Sequence, residues 1–462
     1  MKYNLVVIGA GPGGYVAALR AAQLGLRVAI VERDSLGGVC LNWGCIPTKA
    51  LLQCAHVCDA MKTAATYGLE VTSMDPNLSR MVDRSREVAA TMSKGVQFLL
   101  NKAKVEIIMG EATFVDAHTL RVEREGAEPL MVQATNVIIA TGARPRQLDT
   151  LPIDQERVVD YRGAMTLRKQ PARMVVVGSG AIGSEFAQFY HSIGTQVTLV
   201  EALPQLLPLE DDEVGRTLGR ALRKNKMKTI CQAKVMGVEH AGDHCVVRID
   251  AGKGEELLEA DVVLSAVGIV PNLEGLNLEA IGVTTERGRV VVDEHYRTSV
   301  EGVYAIGDVI ATPALAHVAS AEATHCVEHI AGREPHAVDY GGIPACTYTT
   351  PEVASVGARE RDLVRDGVPY VVGSFPFMAS GKATAIGERD GMVKLLFGAD
   401  DHRLLGAHIV GANATEMIAE LALAMRLRAT AEQLHEAMHP HPTLSEAVME
   451  AAAAALGCCV HA

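Results

Sequence analysis

The chain has 462 residues, 48% of them apolar and 21% charged, and its 43 Lys and Arg against 55 Asp and Glu give a formal net charge of −12. At about 150 residues per domain this length suggests roughly three domains with ample core, which excludes a disordered chain or a disulfide-stapled miniprotein. The acidic balance repels phosphate backbones and makes nucleic acid a poor partner, and no apolar run reaches the ~20 residues of a membrane span.

The apolar opening Leu5–Ile8 is too short for a signal-peptide core, so the expected location is the cytoplasm. In that reducing compartment the ten cysteines are expected to be mostly free thiols, and any disulfide to be catalytic rather than structural.

The first block reads strand, glycine turn, helix, strand. Leu5–Ile8 leads into Gly9-Ala-Gly11-Pro-Gly-Gly14, a helix from about Tyr15 to Leu24, the helix-closing Gly25, and a second strand from Arg27 that ends at Glu32. Helical segments follow near 46–62 and 85–102. Alternating segments from Val105 to Ile139 then predict a small β region closing at Ala140-Thr141-Gly142. The first unit returns at Met174–Glu201, with Gly178-Ser-Gly180-Ala-Ile-Gly183 between a strand and a helix and an acid at the end of the next strand. Strand-like runs continue to Gly268. Beyond them the pattern predicts a strand at 302–306, the Gly307-Asp308 turn and a helix near 314–330. After a boundary at Arg333-Glu-Pro335 come short strands near 347–349, 370–372, 392–397 and 404–410. Helices near 414–428 and 431–438 and an alanine-rich helix over 451–455 complete the chain. This alternation is an α/β pattern.

In each copy the first glycine permits a tight turn, the second lets backbone approach a pyrophosphate, and the third lets helix pack on strand. The helix N-terminus presents unpaired N–H groups to phosphate. Glu32 and Glu201 are placed to accept hydrogen bonds from an adenosine ribose, so two dinucleotides are implied. No Arg or Lys follows Glu201 in Ala-Leu-Pro-Gln, and the carboxylate would repel a 2′-phosphate, which favours NAD over NADP there.

Cys40-Leu-Asn-Trp-Gly-Cys45-Ile-Pro47-Thr-Lys49 is the second motif. Pro47 suits a first helical turn, so Cys45 falls at or just before a helix N-terminus, where the dipole favours thiolate. The two sulfurs bridge if their geometry allows, or stand as two unrelated thiols. The third motif is His439-Pro-His441-Pro-Thr443-Leu-Ser-Glu446. A histidine there can take a proton from a dithiol and a carboxylate can orient it, while Thr443-x-x-Glu446 also reads as a helix capping box.

Taken together, the Gly9–Gly14 turn, Gly37-Gly-Val-Cys40 through Lys49, Ala140-Thr-Gly, Gly307-Asp308 and His441-Pro-Thr-Leu-Ser-Glu446 resemble the pyridine nucleotide–disulfide oxidoreductases, over essentially the whole chain and in family order. The resemblance implies two Rossmann-like dinucleotide-binding domains and a C-terminal α+β dimerisation domain: residues 1–145 and 270–340 for FAD, 146–269 for NAD, and 341–462 for a homodimer. It implies FAD contacts at Gly9, Gly11, Gly14, Glu32, Lys49, Thr141, Gly142 and Asp308, and NAD contacts at Gly178, Gly180, Gly183, Glu201 and Gly268. It further implies a redox-active Cys40–Cys45 disulfide, His441 as base with Glu446 as its partner, and Lys49 ion-paired with Glu185 beside the flavin. No metal is expected.

The activity implied is oxidation of dihydrolipoyl groups with reduction of NAD+, the partner being a lipoyl-bearing protein or the acyltransferase core of a 2-oxoacid dehydrogenase complex, or a glycine-cleavage complex. The alternatives are another disulfide or metal reductase of the family using the Cys458–Cys459 tail, or a non-catalytic flavin-bearing sensor or scaffold. The remaining cysteines read as incidental: Cys54 and Cys58 as core filler, and Cys231, Cys245, Cys326 and Cys346 with no partner spacing. His439 reads as structural. Trp43 and Ile269 depart from the family pattern, which puts cofactor tuning in doubt and not the reaction.

Overall fold

The structure is a computed structural model that describes residues 2–252 and 254–461. The chain forms two compact units, each assembled from separated stretches: Met1–Leu51, Ser79–Arg146 and Gly268–Val338 in one, Leu52–Leu78, Gln147–Val267 and Asp339–Ala462 in the other.

In the first unit, parallel strands stand in the order Glu106–Met109, Val28–Glu32, Lys2–Ile8, Ala127–Ile139, with Val303–Ala305 beside the last. Every residue of Val28–Glu32 is buried, the pattern of a strand covered on both faces. The 13-residue strand Ala127–Ile139 serves two pairings. Its Ala127–Gln133 half runs antiparallel to Thr119–Arg124, and its Gln133–Ile139 half runs parallel to Lys2–Ile8. The helix after the first turn is Pro12–Gln23. It starts three residues before the expected Tyr15, because Gly11 is the N-cap and Pro12 occupies the first helical turn, where its missing N–H costs nothing.

The second unit holds a parallel sheet in the order Lys228–Ile230, Gln196–Val200, Arg173–Val177, Val262–Ser265, Val158–Val159. It also holds an antiparallel sheet in the order Ala345–Thr347, Glu352–Gly357, Leu404–Gly411, Met392–Gly398, Tyr370–Pro376. The helices Ala414–Arg426, Ala431–Glu436 and Glu446–Ala455 pack their apolar faces into the core of that sheet. A buried cation joins the two regions: Lys394, 2% exposed, donates to Asp211 at 2.9 Å and Glu360 at 2.6 Å.

Several helices appear where the sequence predicts none, among them Gly38–Asn42, Tyr161–Thr166 and Gly381–Ile386. Where only strand-like runs are expected after Glu201, Asp212–Lys224 is a helix capped by the Asp211 side chain, with Val214, Leu218, Ala221 and Leu222 buried. Gly215 and Gly219 sit on its buried side and mask the helical period in the sequence. Glu360–Asp366 is likewise helical, closed by Gly367 in the left-handed region.

Candidate active site

Both glycine turns obey one set of steric rules. Gly9 (φ +99°) and Gly178 (φ +98°) need the left-handed region, and a Cβ on either would sit 2.4 Å from a carbonyl oxygen, that of Ala140 or Ala266. A Cβ on Gly14 would lie 1.8 Å from the Gly9 oxygen, and one on Gly183 1.9 Å from that of Gly178. By contrast, a Cβ on Gly11 or Gly180 would meet nothing within 4 Å. Open space thus lies over the N-terminus of each following helix, which is where a dinucleotide's pyrophosphate requires it.

The acids close these turns. Glu32 accepts from Ala10 N–H at 2.7 Å and Asp34 N–H at 2.8 Å. Glu201 accepts from Ser179 N–H at 2.8 Å and Leu203 N–H at 2.9 Å. Glu32 also lines a cleft with Gly9, Glu111, Thr141 and Asn272, and an adenosine ribose fits the carboxylate presented there. The donor sets therefore suit two dinucleotides.

The cysteine segment is fixed to the first turn. Gly37 N–H donates to the Ala10 carbonyl at 2.8 Å, and a Cβ on Gly38 would stand 2.6 Å from the Gly11 Cα. Cys40 lies in the short helix Gly38–Asn42, and Cys45 is the first residue of the helix Cys45–Thr63, as Pro47 foretells. Buried Asn42 ties the segment down by donating to Leu36 O and Gly38 O, both at 2.9 Å. The Arg86 guanidinium donates to Asn42 O and stacks over Trp43 at 4.4 Å.

Both sulfurs are unbridged thiols in this structure. A hydrogen bond with Cys45 raises the Cys40 pKa far above the ordinary thiol value. Burial and the charge of Cys45 add to it, and Lys49 offsets a part. Cys45, at the helix start, sits where the dipole favours an anion.

Opposite the first glycine turn, Thr141 and Asn272 clasp each other. Thr141 Oγ1 donates to Asn272 O at 2.6 Å, Asn272 Nδ2 to Thr141 O at 3.0 Å, and Asn272 N–H to Gly142 O at 2.9 Å. Asp308 sits in the one-turn helix Gly307–Val309, and burial pushes its carboxyl up, with Arg289 partly offsetting the rise. The fully buried Glu322 holds that turn by accepting Gly307 N–H at 2.7 Å. Sequence reasoning missed Glu322, Asn272 and Asn42, since a lone acid or amide inside a helix or loop carries no spacing signal. Gly268, grouped with the NAD contacts by resemblance, belongs to the first unit, where its carbonyl accepts Arg146 N–H at 3.0 Å. In the same unit Ile269 opens the strand Ile269–Pro271, pairing with Pro145. Lys49 lies one turn into the Cys45–Thr63 helix.

In the second unit, buried Glu185 accepts Tyr348 N–H at 3.1 Å. His441 is 80% exposed at its side chain, with Nδ1 2.8 Å from Glu446 Oε1. Burial pushes the Glu446 carboxyl up, but the Thr443 N–H and His441 bonds outweigh it and the carboxyl titrates below its usual range. His439, its side chain 6% exposed, pairs with Glu420 at 2.7 Å.

The expected capping box at Thr443 forms only by half. Glu446 Oε2 accepts Thr443 N–H at 2.8 Å, but the Thr443 hydroxyl donates to Pro440 O and Ser445 is the N-cap. The complete box is at Thr430 and Gln433.

In the tail, Cys458 is exposed, 3.8 Å from His435 Nε2, while Cys459 donates to Glu450 at 3.1 Å. Cys54 is half-buried, and Cys58, Cys245 and Cys326 are buried. Among the described residues no helix is long and apolar enough to cross a membrane.

Comparison with known proteins agrees with this geometry. Residues 3–323 match the family model for pyridine nucleotide-disulphide oxidoreductases, and residues 343–452 match the dimerisation domain of that family. The chain is 46% identical to the dihydrolipoyl dehydrogenase of Chlorobaculum parvum over 98% of this chain and 97% of that protein. It is 45% identical to that of Rhizobium etli over 99% and 98%. Among solved structures it is similar to LpdA of Mycobacterium tuberculosis, with a TM-score of 0.90 at 28% identity, covering 97% of this chain and 99% of that one.

Proposed function

The chain belongs to the pyridine nucleotide-disulphide oxidoreductase family, and on that premise we propose that it is a homodimeric, FAD-containing dihydrolipoamide dehydrogenase that reduces NAD+. The observation that carries this reading is the cysteine pair: one sulfur at a helix start, hydrogen-bonded to the other, on a segment bonded directly to the first dinucleotide turn.

Gly9, Gly11, Gly14, Glu32, Thr141, Gly142, Lys49 and Asp308 would hold FAD, and Gly178, Gly180, Gly183, Glu201 and Gly268 would hold NAD. When bound, the flavin accepts an electron pair from the reduced cysteines and passes it to nicotinamide. The protein's own steps are thiol exchange and proton transfer. A dihydrolipoyl thiolate attacks Cys40 of the Cys40–Cys45 disulfide. A mixed disulfide forms, and Cys45 leaves as the thiolate that its helix position stabilises. The second lipoyl thiol gives its proton to His441 and attacks the lipoyl sulfur of the mixed disulfide, closing the lipoyl ring and releasing Cys40. The two electrons of the substrate then reside on the cysteine pair.

Glu446 keeps Nδ1 of His441 occupied and leaves Nε2 as the base. In the dimer, each subunit lends its His441 and Glu446 to the cysteines of the other, and Glu185 serves as the ion-pair partner of Lys49. The domains divide as FAD-binding (1–145 and 270–340), NAD-binding (146–269) and dimerising (341–462). The enzyme works in the cytoplasm on lipoyl arms of a 2-oxoacid dehydrogenase or glycine-cleavage complex.

Incubating the purified yellow protein with NAD+ and dihydrolipoamide tests the proposal. Formation of NADH supports it. A flavin-loaded preparation that forms none overturns it.

A further inference from the structure

The two dinucleotide turns hold their acids by the same two backbone bonds and differ by one donor. Residues 10 and 179 each send a backbone N–H to Oε2, and the residue two beyond each acid sends one to Oε1. At the second turn the Ser179 hydroxyl adds a third bond, 2.8 Å to Glu201 Oε2. Position 10 is alanine and supplies none. Ser179 is 0% exposed, so water does not compete for that bond. An ionised carboxylate offers about four lone-pair positions. Two therefore remain at Glu32 and one at Glu201.

The geometry points to Ser179 as the residue that sets how firmly the second turn grips its nucleotide: by occupying a lone pair, it limits Glu201 to one hydroxyl of the adenosine ribose, whereas Glu32 accepts both. This inference rests on the reading of the second turn as the NAD site. Its consequence is an asymmetry built into a duplicated motif. The nucleotide at Glu32 is held by its whole diol and stays, and the one at Glu201 is held by half and leaves after each turnover. Ser179 acts through Glu201 and is a positioning residue. Removing its hydroxyl does not set the carboxylate loose, because the two donors that remain are the pair that suffices to fix Glu32.

Calorimetry on the FAD-loaded dimer, with NADH and with NADH analogues lacking the adenosine 2′- or 3′-hydroxyl, tests this. In the unmodified protein one deoxy analogue is expected to bind as tightly as NADH and the other roughly tenfold more weakly. In S179A, NADH is expected to bind roughly three- to tenfold more tightly, and both deoxy analogues to lose affinity relative to it. S179G also lacks the hydroxyl and gives the same shift, so the test survives poor folding of the alanine variant. Unchanged or weaker NADH binding in both variants overturns the inference, as does loss of affinity by both analogues in the unmodified protein. E201A separates the two levels. Weakened NADH binding in E201A beside a flat S179A rejects only the role of Ser179. Unchanged binding in E201A rejects the nucleotide site and the inference with it.

Discussion

Glu446 holds His441 with one oxygen and the backbone with the other: Oε1 lies 2.8 Å from His441 Nδ1, and Oε2 accepts the Thr443 N–H at 2.8 Å. The carboxylate is thereby fixed before it orients the ring through Nδ1, on a side chain 80% exposed. Replacing His441 with Gln is expected to lower kcat for dihydrolipoamide oxidation by about 10²- to 10⁴-fold. NADH-driven reduction of a one-electron dye needs no proton from a dithiol and is expected to change little. Equal losses in the two assays would remove the base assignment.

Cys40→Ser is expected to retain FAD and lose dihydrolipoamide turnover, because the sulfur that the proposed thiol exchange attacks is gone while the glycine turns stay. Cys458→Ser with Cys459→Ser is expected to keep turnover within about twofold, since the tail thiols contact His435 and Glu450. A large loss in the tail variant would make those thiols part of the electron path.

Gly14→Ala and Gly183→Ala place a methyl 1.8 and 1.9 Å from a carbonyl oxygen. Neither turn can absorb that without moving its backbone, and each substitution is expected to cost about 3 kcal/mol locally. The two outcomes differ by turn. Gly14→Ala is expected to purify with depleted flavin absorbance, and Gly183→Ala to keep its flavin and lose NADH binding in a titration.

The His439–Glu420 pair predicts a pH-dependent stability. The Glu420 hydrogen bond raises the His439 pKa, and burial only partly opposes it. A raised folded value means the contribution is complete below the ordinary histidine pKa of about 6.5 and fades as pH climbs through the folded value. His439→Gln is therefore expected to lose about 1 kcal/mol at acidic pH and less at alkaline pH, read from denaturation midpoints at both. A loss that grows with pH would contradict the assignment.

Much of this architecture is legible in the residue order because steric rules act locally. A glycine that must adopt positive φ, a second that must admit phosphate and an acid at the next strand end leave a fixed spacing, and both copies fold as that spacing implies. Pro47 likewise marks the helix that begins at Cys45. What stays hidden is long-range. Glu322 secures Gly307 from 15 residues away, and Asn272 meets Thr141 across 131, with no periodicity to announce either. At Thr443 a local motif misleads, because the threonine hydroxyl finds Pro440 O and not the helix end. The Asp212–Lys224 helix hides behind its glycines, which close packing against Leu206 O requires at Gly215.

The strand Ala127–Ile139 runs unbroken from an antiparallel hairpin into the parallel sheet and ends beside Ala140, whose carbonyl limits Gly9. It acts as a ruler with the nucleotide turn at its zero mark. A deletion of one residue within it would reverse every side chain downstream and misplace that carbonyl, whereas the hairpin tip at Glu125 and Gly126 has room for added length. Evolution or an engineer can lengthen the tip, but not the rule.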